Sequence, residues 1–134
     1  LNWDANTEDD LAGYKIYWGT SPRTGGSAPG GYANSSPDTV SATTYQIDNI
    51  SDTGATYFSI TAVDDSENES AFSNEVWKIP GDIDKNGNVN MLDFSALVGN
   101  YGNSVCDNAA DIDLSCSVNM LDFSALVNNY GFGN

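Results

Sequence analysis

Oxygen-bearing side chains, mostly acidic or amide, recur at every second position in two stretches of this chain. The first holds Asp82, Asp84, Asn86, Asn88 and Asn90 and closes on Asp93; the second holds Asp111, Asp113, Ser115, Ser117 and Asn119 and closes on Asp122. Oxygen donors at loop positions 1, 3, 5, 9 and 12, with a backbone carbonyl at 7, suit a calcium ion held in an EF-hand-type loop. On that frame the Asn88 and Ser117 carbonyls fill position 7, and Asn90 and Asn119 act directly or through a water. Gly87 sits at position 6, where the backbone must take positive φ. Val89 at position 8 is expected to point inward and pair with the other loop through a short β contact. A merely solvated acidic turn explains neither Gly87 nor Val89. The second loop is poorer: Ser115 is a short ligand, and Cys116 stands where glycine is expected.

The loops belong to a duplication. Residues 89–98 (Val-Asn-Met-Leu-Asp-Phe-Ser-Ala-Leu-Val) return unchanged at 118–127, and Asn-Tyr-Gly follows at 100–102 and at 129–131. The spacing predicts helices over 91–101 and 120–130, with Phe94, Leu97, Val98, Tyr101 and their counterparts Phe123, Leu126, Val127, Tyr130 in a core between antiparallel helices. Gly102 and Gly131 are candidates to end them.

The net charge of −15 and the lack of histidine narrow the chemistry. Such a surface repels nucleic acid and anionic lipid and attracts divalent cations. Without His, or any other nucleophile–base pair, the chain shows no active site; Asp9, Asp10, Asp64 and Asp65 read as solvated turn carboxylates. Cys106 and Cys116 are too few for a zinc site. They read as a disulfide, which implies an oxidising, extracellular compartment, or else as two unpaired thiols. A bridge between them would hold the strained turn at Cys116. No run is long enough for a membrane span. The chain opens on Leu1 with no visible signal peptide, which reads as a processed or partly observed protein. Asn34, Asn49 and Asn68 begin glycosylation sequons.

Residues 1–79 read as short strands between turns, the pattern of a β-sandwich. Strands are expected at 1–3, 14–18, 43–47, 56–63 and 73–77, with a Gly/Ser/Pro-rich loop at 19–37 carrying at most a short edge strand. Phe58, Ile60 and Ala62 are placed on one face. Ile79, Pro80 and Gly81 form a short linker.

Leu1, Asn2, Trp3 and Asp4, the run 10–17, Ile60 to Asp64 and Asn68 to Ser73 resemble the fibronectin type III family across 1–78. The resemblance implies that Trp3 is a core tryptophan and Tyr57 a tyrosine-corner residue. It also implies a first strand, and most of a second, before Leu1; without them a sheet edge is uncovered.

The run Asp82-x-Asp84-x-Asn86-Gly87-x-Val89-Asn90-x-x-Asp93-Phe94, twice over, resembles a dockerin across 81–131. That resemblance implies a calcium-dependent module that plugs into cohesin domains. Met91, Leu92, Met120 and Leu121, just before each last ligand, would then recognise the partner, unless they pack on the module itself. Identical pairs in both copies allow two docking orientations.

The expected architecture is therefore a multidomain β plus α protein: a fibronectin type III-like sandwich over 1–79, then a small all-α dockerin module over 80–134. The expected function is non-catalytic, calcium-dependent extracellular docking to a cohesin-like domain or another copy of the chain. Two alternatives stand beside it. One is a self-assembling subunit of an extracellular filament or tube. The other is the accessory tail of a secreted polysaccharide hydrolase, in which Tyr14, Tyr17 and Trp18 would stack on sugars, although strand aromatics are more often core.

Overall fold

The computed structural model describes residues 1–47 and 50–133; the sequon at Asn49 lies outside them. Four strands form one antiparallel sheet in the order β2-β1-β3-β4: β1 Leu11–Gly19, β2 Asn34–Ser35, β3 Thr56–Asp64 and β4 Val76–Lys78. Two helices follow, α1 Met91–Asn100 and α2 Met120–Asn129. The chain divides into two compact units. One comprises 1–50 and 56–77; the other comprises 51–55 and 78–134.

This corrects the expected fold class. A sandwich needs a second sheet, but 1–3 and 43–45 join only as a short two-stranded ladder, Trp3 N–H to Thr43 O and Tyr45 N–H to Leu1 O on either side of the Asn2–Thr44 pair. Two such short segments fall short of the three or more strands that stabilise a sheet. Nor is there an all-α module: each helix has ten residues, under the length at which helices stand alone, and most of the chain around them is loop and turn. The fold is a small four-stranded antiparallel sheet with two short helices.

The sheet rests on β1 and β3. Thr, Tyr, Phe, Ile and Val dominate β3, β1 contributes Tyr14, Ile16, Tyr17 and Trp18, and the register pairs Tyr14 with Ala62, Ile16 with Ile60 and Trp18 with Phe58. Those side chains alternate onto one face, where Ile16 is fully buried and Tyr14 and Phe58 nearly so. Trp3 packs edge-on against Tyr14, ring centroids 5.3 Å apart.

On the opposite face Tyr17, Tyr32 and Phe72 pack together, and the polar groups among them are satisfied. The Tyr17 hydroxyl donates to the Glu69 carboxylate at 2.8 Å, and Thr61 Oγ1 donates to it at 3.0 Å. The Tyr32 hydroxyl bonds Ser59 at 2.8 Å and donates to Glu75. Burial, reinforced by Glu75, pushes the Tyr32 phenol up to about 12. Burial and then Glu69 raise Tyr17 in the same direction.

Of the two readings of the strand tyrosines the buried one holds: Tyr14 and Tyr17 are 3% and 5% exposed, so they are core and not a sugar-stacking surface. Tyr57 makes no side-chain hydrogen bond among the described residues, so it is no corner tyrosine.

A candidate metal centre in two copies

Each loop gathers three carboxylates. One oxygen from each of Asp82, Asp84 and Asp93 lies within 4.8 Å of the others, and the same holds for Asp111, Asp113 and Asp122. Asp93 and Asp122 are fully buried. Among the described residues Lys15 pairs with Glu69, and no lysine or arginine forms a salt bridge with either cluster.

Local hydrogen bonds explain how like charges are held together. Asp82 Oδ1 accepts from the Asn86 N–H at 3.0 Å and Oδ2 from Gly87 at 2.9 Å. Asp111 does the same with Ser115 at 3.0 Å and Cys116 at 2.8 Å. Asp93 Oδ1 accepts from Ile83 and Asp84, and Oδ2 from Asn90 at 2.9 Å. Asp122 repeats that pattern with Ile112, Asp113 and Asn119. Burial, then the charges of Asp93 and Asp84, raises the Asp82 carboxyl above its ordinary value. Asp113 is lowered, chiefly by hydrogen bonding from Ser115.

Position 9 serves a second purpose. Asn90 and Asn119 are N-caps, accepting from Leu92 and Leu121 N–H at 2.8 Å, and the final Asp of each loop completes a capping box. The last ligand candidate and the helix start are thus one structure. The cap signal was present in the sequence as Asn-x-x-Asp. Asn86 Oδ1 accepts from the Asn88 N–H, whereas Ser115 Oγ donates to the Ser117 carbonyl at 3.3 Å. The second loop therefore turns one candidate donor oxygen onto another.

Gly87 has φ 88°, and Cys116 takes φ 63° at the matching position. A non-glycine residue there costs about 1–2 kcal/mol. Cys116 is bonded to Cys106, with Cα atoms 4.1 Å apart. Lys85 and Leu114, at position 4 of each loop, also have φ 60°; nothing in their residue types signals this.

The valines depart from expectation. Val89 and Val118 do point inward, at 0% and 1% exposure, but they do not pair with each other. Val89 donates to Phe132 O and accepts from Gly131 N–H; Val118 donates to Asn103 O and accepts from Gly102 N–H. Each loop pairs with the turn that follows the other loop's helix. Gly102 and Gly131, with φ 86° and 87°, stand one residue past the caps Tyr101 and Tyr130, and their N–H groups go to these valines.

The helices are less buried than their periodicity implies. Leu97 and Leu126 are fully buried, and Phe94 meets Phe123 edge-on at 5.9 Å. Val98, Tyr101, Val127 and Tyr130 are instead about half exposed, so the expected core narrows to two positions per helix. Met91 and Leu92 are 60% and 64% exposed, and Met120 and Leu121 are 59% and 64%. They do not pack inward.

Asn100 and Asn129 were invisible as functional positions. Asn129 is buried; its Nδ2 donates to Asp52 O and its Oδ1 accepts from the Gly54 N–H at 2.7 Å, fastening the 51–55 loop. Asn100 Oδ1 instead accepts from Asn103 and Asn108. Comparison with protein families, characterised proteins and solved structures finds no match to this chain.

Proposed function

We propose that this chain is a non-catalytic extracellular assembly module that calcium switches into a docking-competent shape. One observation carries the reading. Two clusters of three converging carboxylates, each with a fully buried member, lack any basic partner among the described residues. Buried uncompensated charge is unfavourable by several kcal/mol, so such a site wants a cation. The donors are all oxygens, which suits a hard ion, and calcium above softer metals.

Asp82, Asp84, Asn86, Asp93 and the Asn88 carbonyl would hold the first ion. Asp111, Asp113, Ser115, Asp122 and the Ser117 carbonyl would hold the second, with Asn90 and Asn119 reaching theirs through water because their side chains cap the helices. The ion supplies positive charge where three carboxylates meet, and its binding free energy becomes folding free energy. The chain's own residues do the rest. Asp93 and Asp122 tie loop to helix, and the helices then present Met91, Leu92, Met120 and Leu121 to solvent. Exposed methionine and leucine at matched positions suit an apolar protein partner. The dockerin resemblance points to a cohesin-like domain, met in either of two orientations. The disulfide agrees with an oxidising compartment.

Calorimetric calcium titration of the full chain should find two sites. A chelator should remove the helical circular-dichroism signal while sheet signal persists. Binding to immobilised cohesin domains should survive Met91→Glu or Met120→Glu alone and fail in the double variant. Unchanged helicity in chelator, with no heat of calcium binding, would sink the reading.

A further inference from the structure

On the calcium reading above, we propose that the Cys106–Cys116 bridge is a redox control on the second metal centre. Closed, it holds that loop ready for the ion; opened by a dithiol, it weakens the second site and leaves the first untouched. Position 6 is Gly87 in the first loop and Cys116 in the second, both at positive φ. Gly87 has no side chain to strain, and nothing lies within 4 Å of where a Cβ would stand. Cys116 carries a β-carbon in that conformation. So do Leu114 and Asp107, at φ 60° and 59°. Each such residue is driven toward negative φ unless something holds it.

What the turn at Cys116 holds is a ligand. The Cys116 N–H donates to Asp111 Oδ2 at 2.8 Å, and the Ser115 N–H donates to Oδ1 at 3.0 Å. Asp111, at loop position 1, is 4% exposed and belongs to the carboxylate cluster with Asp113 and Asp122. The bridge pins Cys116 to Cys106, on a segment that is itself anchored. Asn108 Nδ2 donates to Asn100 Oδ1 at the end of α1 at 3.1 Å, and the Asp111 N–H donates to Asn108 O at 2.9 Å. With the tether cut, Cys116 relaxes and its N–H leaves Asp111. Calcium must then reorder the turn out of its own binding free energy. Ser115 offers little help, since its hydroxyl is turned onto the Ser117 carbonyl. The first loop has no such tether to lose.

The bond is open to attack, because Cys106 is exposed and Cys116 only half-buried. One thiolate of the dithiol attacks Cys106 Sγ, the protein S–S bond breaks, and Cys116 leaves as a thiolate and takes up a proton. The second thiolate of the dithiol then displaces Cys106, which is protonated in turn, and the reagent's own disulfide closes. Two electrons and two protons pass to the protein.

Calorimetric calcium titration of the full chain, before and after dithiothreitol, tests this. Reduction should leave one site unchanged and make the other about tenfold weaker, the factor that relaxing one residue from positive φ allows. Asp93→Asn, which keeps only the second site, should show the whole loss; Asp122→Asn, which keeps only the first, should show none. Amide exchange at limiting calcium should open Cys116 on reduction and spare Gly87. Cys106→Ser with Cys116→Ser should bind like the reduced chain, with or without the dithiol. Cys106→Ser with Cys116→Gly should bind like the oxidised chain, because glycine needs no tether at that φ. That rescue marks Cys116 as a positioning residue, distinct from a bridge that merely holds its unit together. Equal affinity before and after reduction would overturn the proposal, as would equal weakening of both sites or a glycine variant no tighter than the serine one. No heat of calcium binding in the oxidised chain would remove the calcium reading and this proposal with it, a failure seen before any dithiol is added.

Discussion

A carboxylate at 0% exposure must be neutralised, paired or bound to a metal. Asp93 and Asp122 each receive three backbone N–H groups, from residues on both sides of their loops. Asparagine at either position keeps one acceptor oxygen and adds an unwanted donor. Asp93→Asn should therefore cut calcium stoichiometry from two to one and destabilise its unit by roughly 1.5–3 kcal/mol, the range for hydrogen bonds to charged groups. Asp122→Asn should remove the other site instead. Titration calorimetry and thermal unfolding check both. The buried phenols make a separate prediction. Tyr32 rises to about 12, and Tyr17 is raised too. A phenol with a raised folded-state pKa binds its proton more tightly folded than unfolded. Its contribution is complete below the unfolded value of about 10 and is lost as pH climbs toward the folded value. Denaturant titrations should show stability falling from about pH 10 upward, and Tyr32→Phe should flatten part of that fall.

Each helix is a ten-residue piece that neighbouring structure must support. Support comes from a capping box at one end and, at the other, from the crosswise pairing of Val89 and Val118 with the turns past α2 and α1. The duplicated asparagines show how identical sequence reaches different ends. Asn129 fastens the 51–55 loop, whereas Asn100 fastens the segment around Asn103 and Asn108. Asn129→Ala leaves the Gly54 N–H without its acceptor and should cost about 1–3 kcal/mol. Hydrogen exchange should show Gly54 losing protection. Asn100→Ala should leave Gly54 protected and loosen 103–108 instead.

With a net charge of −15, the whole chain repels itself, and two bound divalent ions would relieve that at the two most crowded points. Monovalent salt screens the same repulsion less specifically. Raising sodium chloride should therefore raise the unfolding midpoint of chelated protein more than that of calcium-loaded protein, as differential scanning calorimetry can measure. Much of this was readable in advance. The alternating donors, the repeat, Gly87, the cysteine pair and strands β1 and β3 all announce themselves through spacing, because short-range geometry depends on neighbours in the chain. What spacing left open concerns partners distant along it. Val98, Tyr101, Val127 and Tyr130 have core periodicity but remain half exposed, since the packing of these helices closes over Leu97 and Leu126 and the Phe94–Phe123 contact instead. Val89 and Val118 look made for each other, yet each backbone is claimed by the turn after the opposite helix. The segments 1–3 and 43–45 have the right residues for a second sheet but join only as one short two-stranded ladder. Local pattern set which residues face one another within a loop or strand; long-range packing chose which of those faces were covered, because burial needs a second surface that no local pattern supplies.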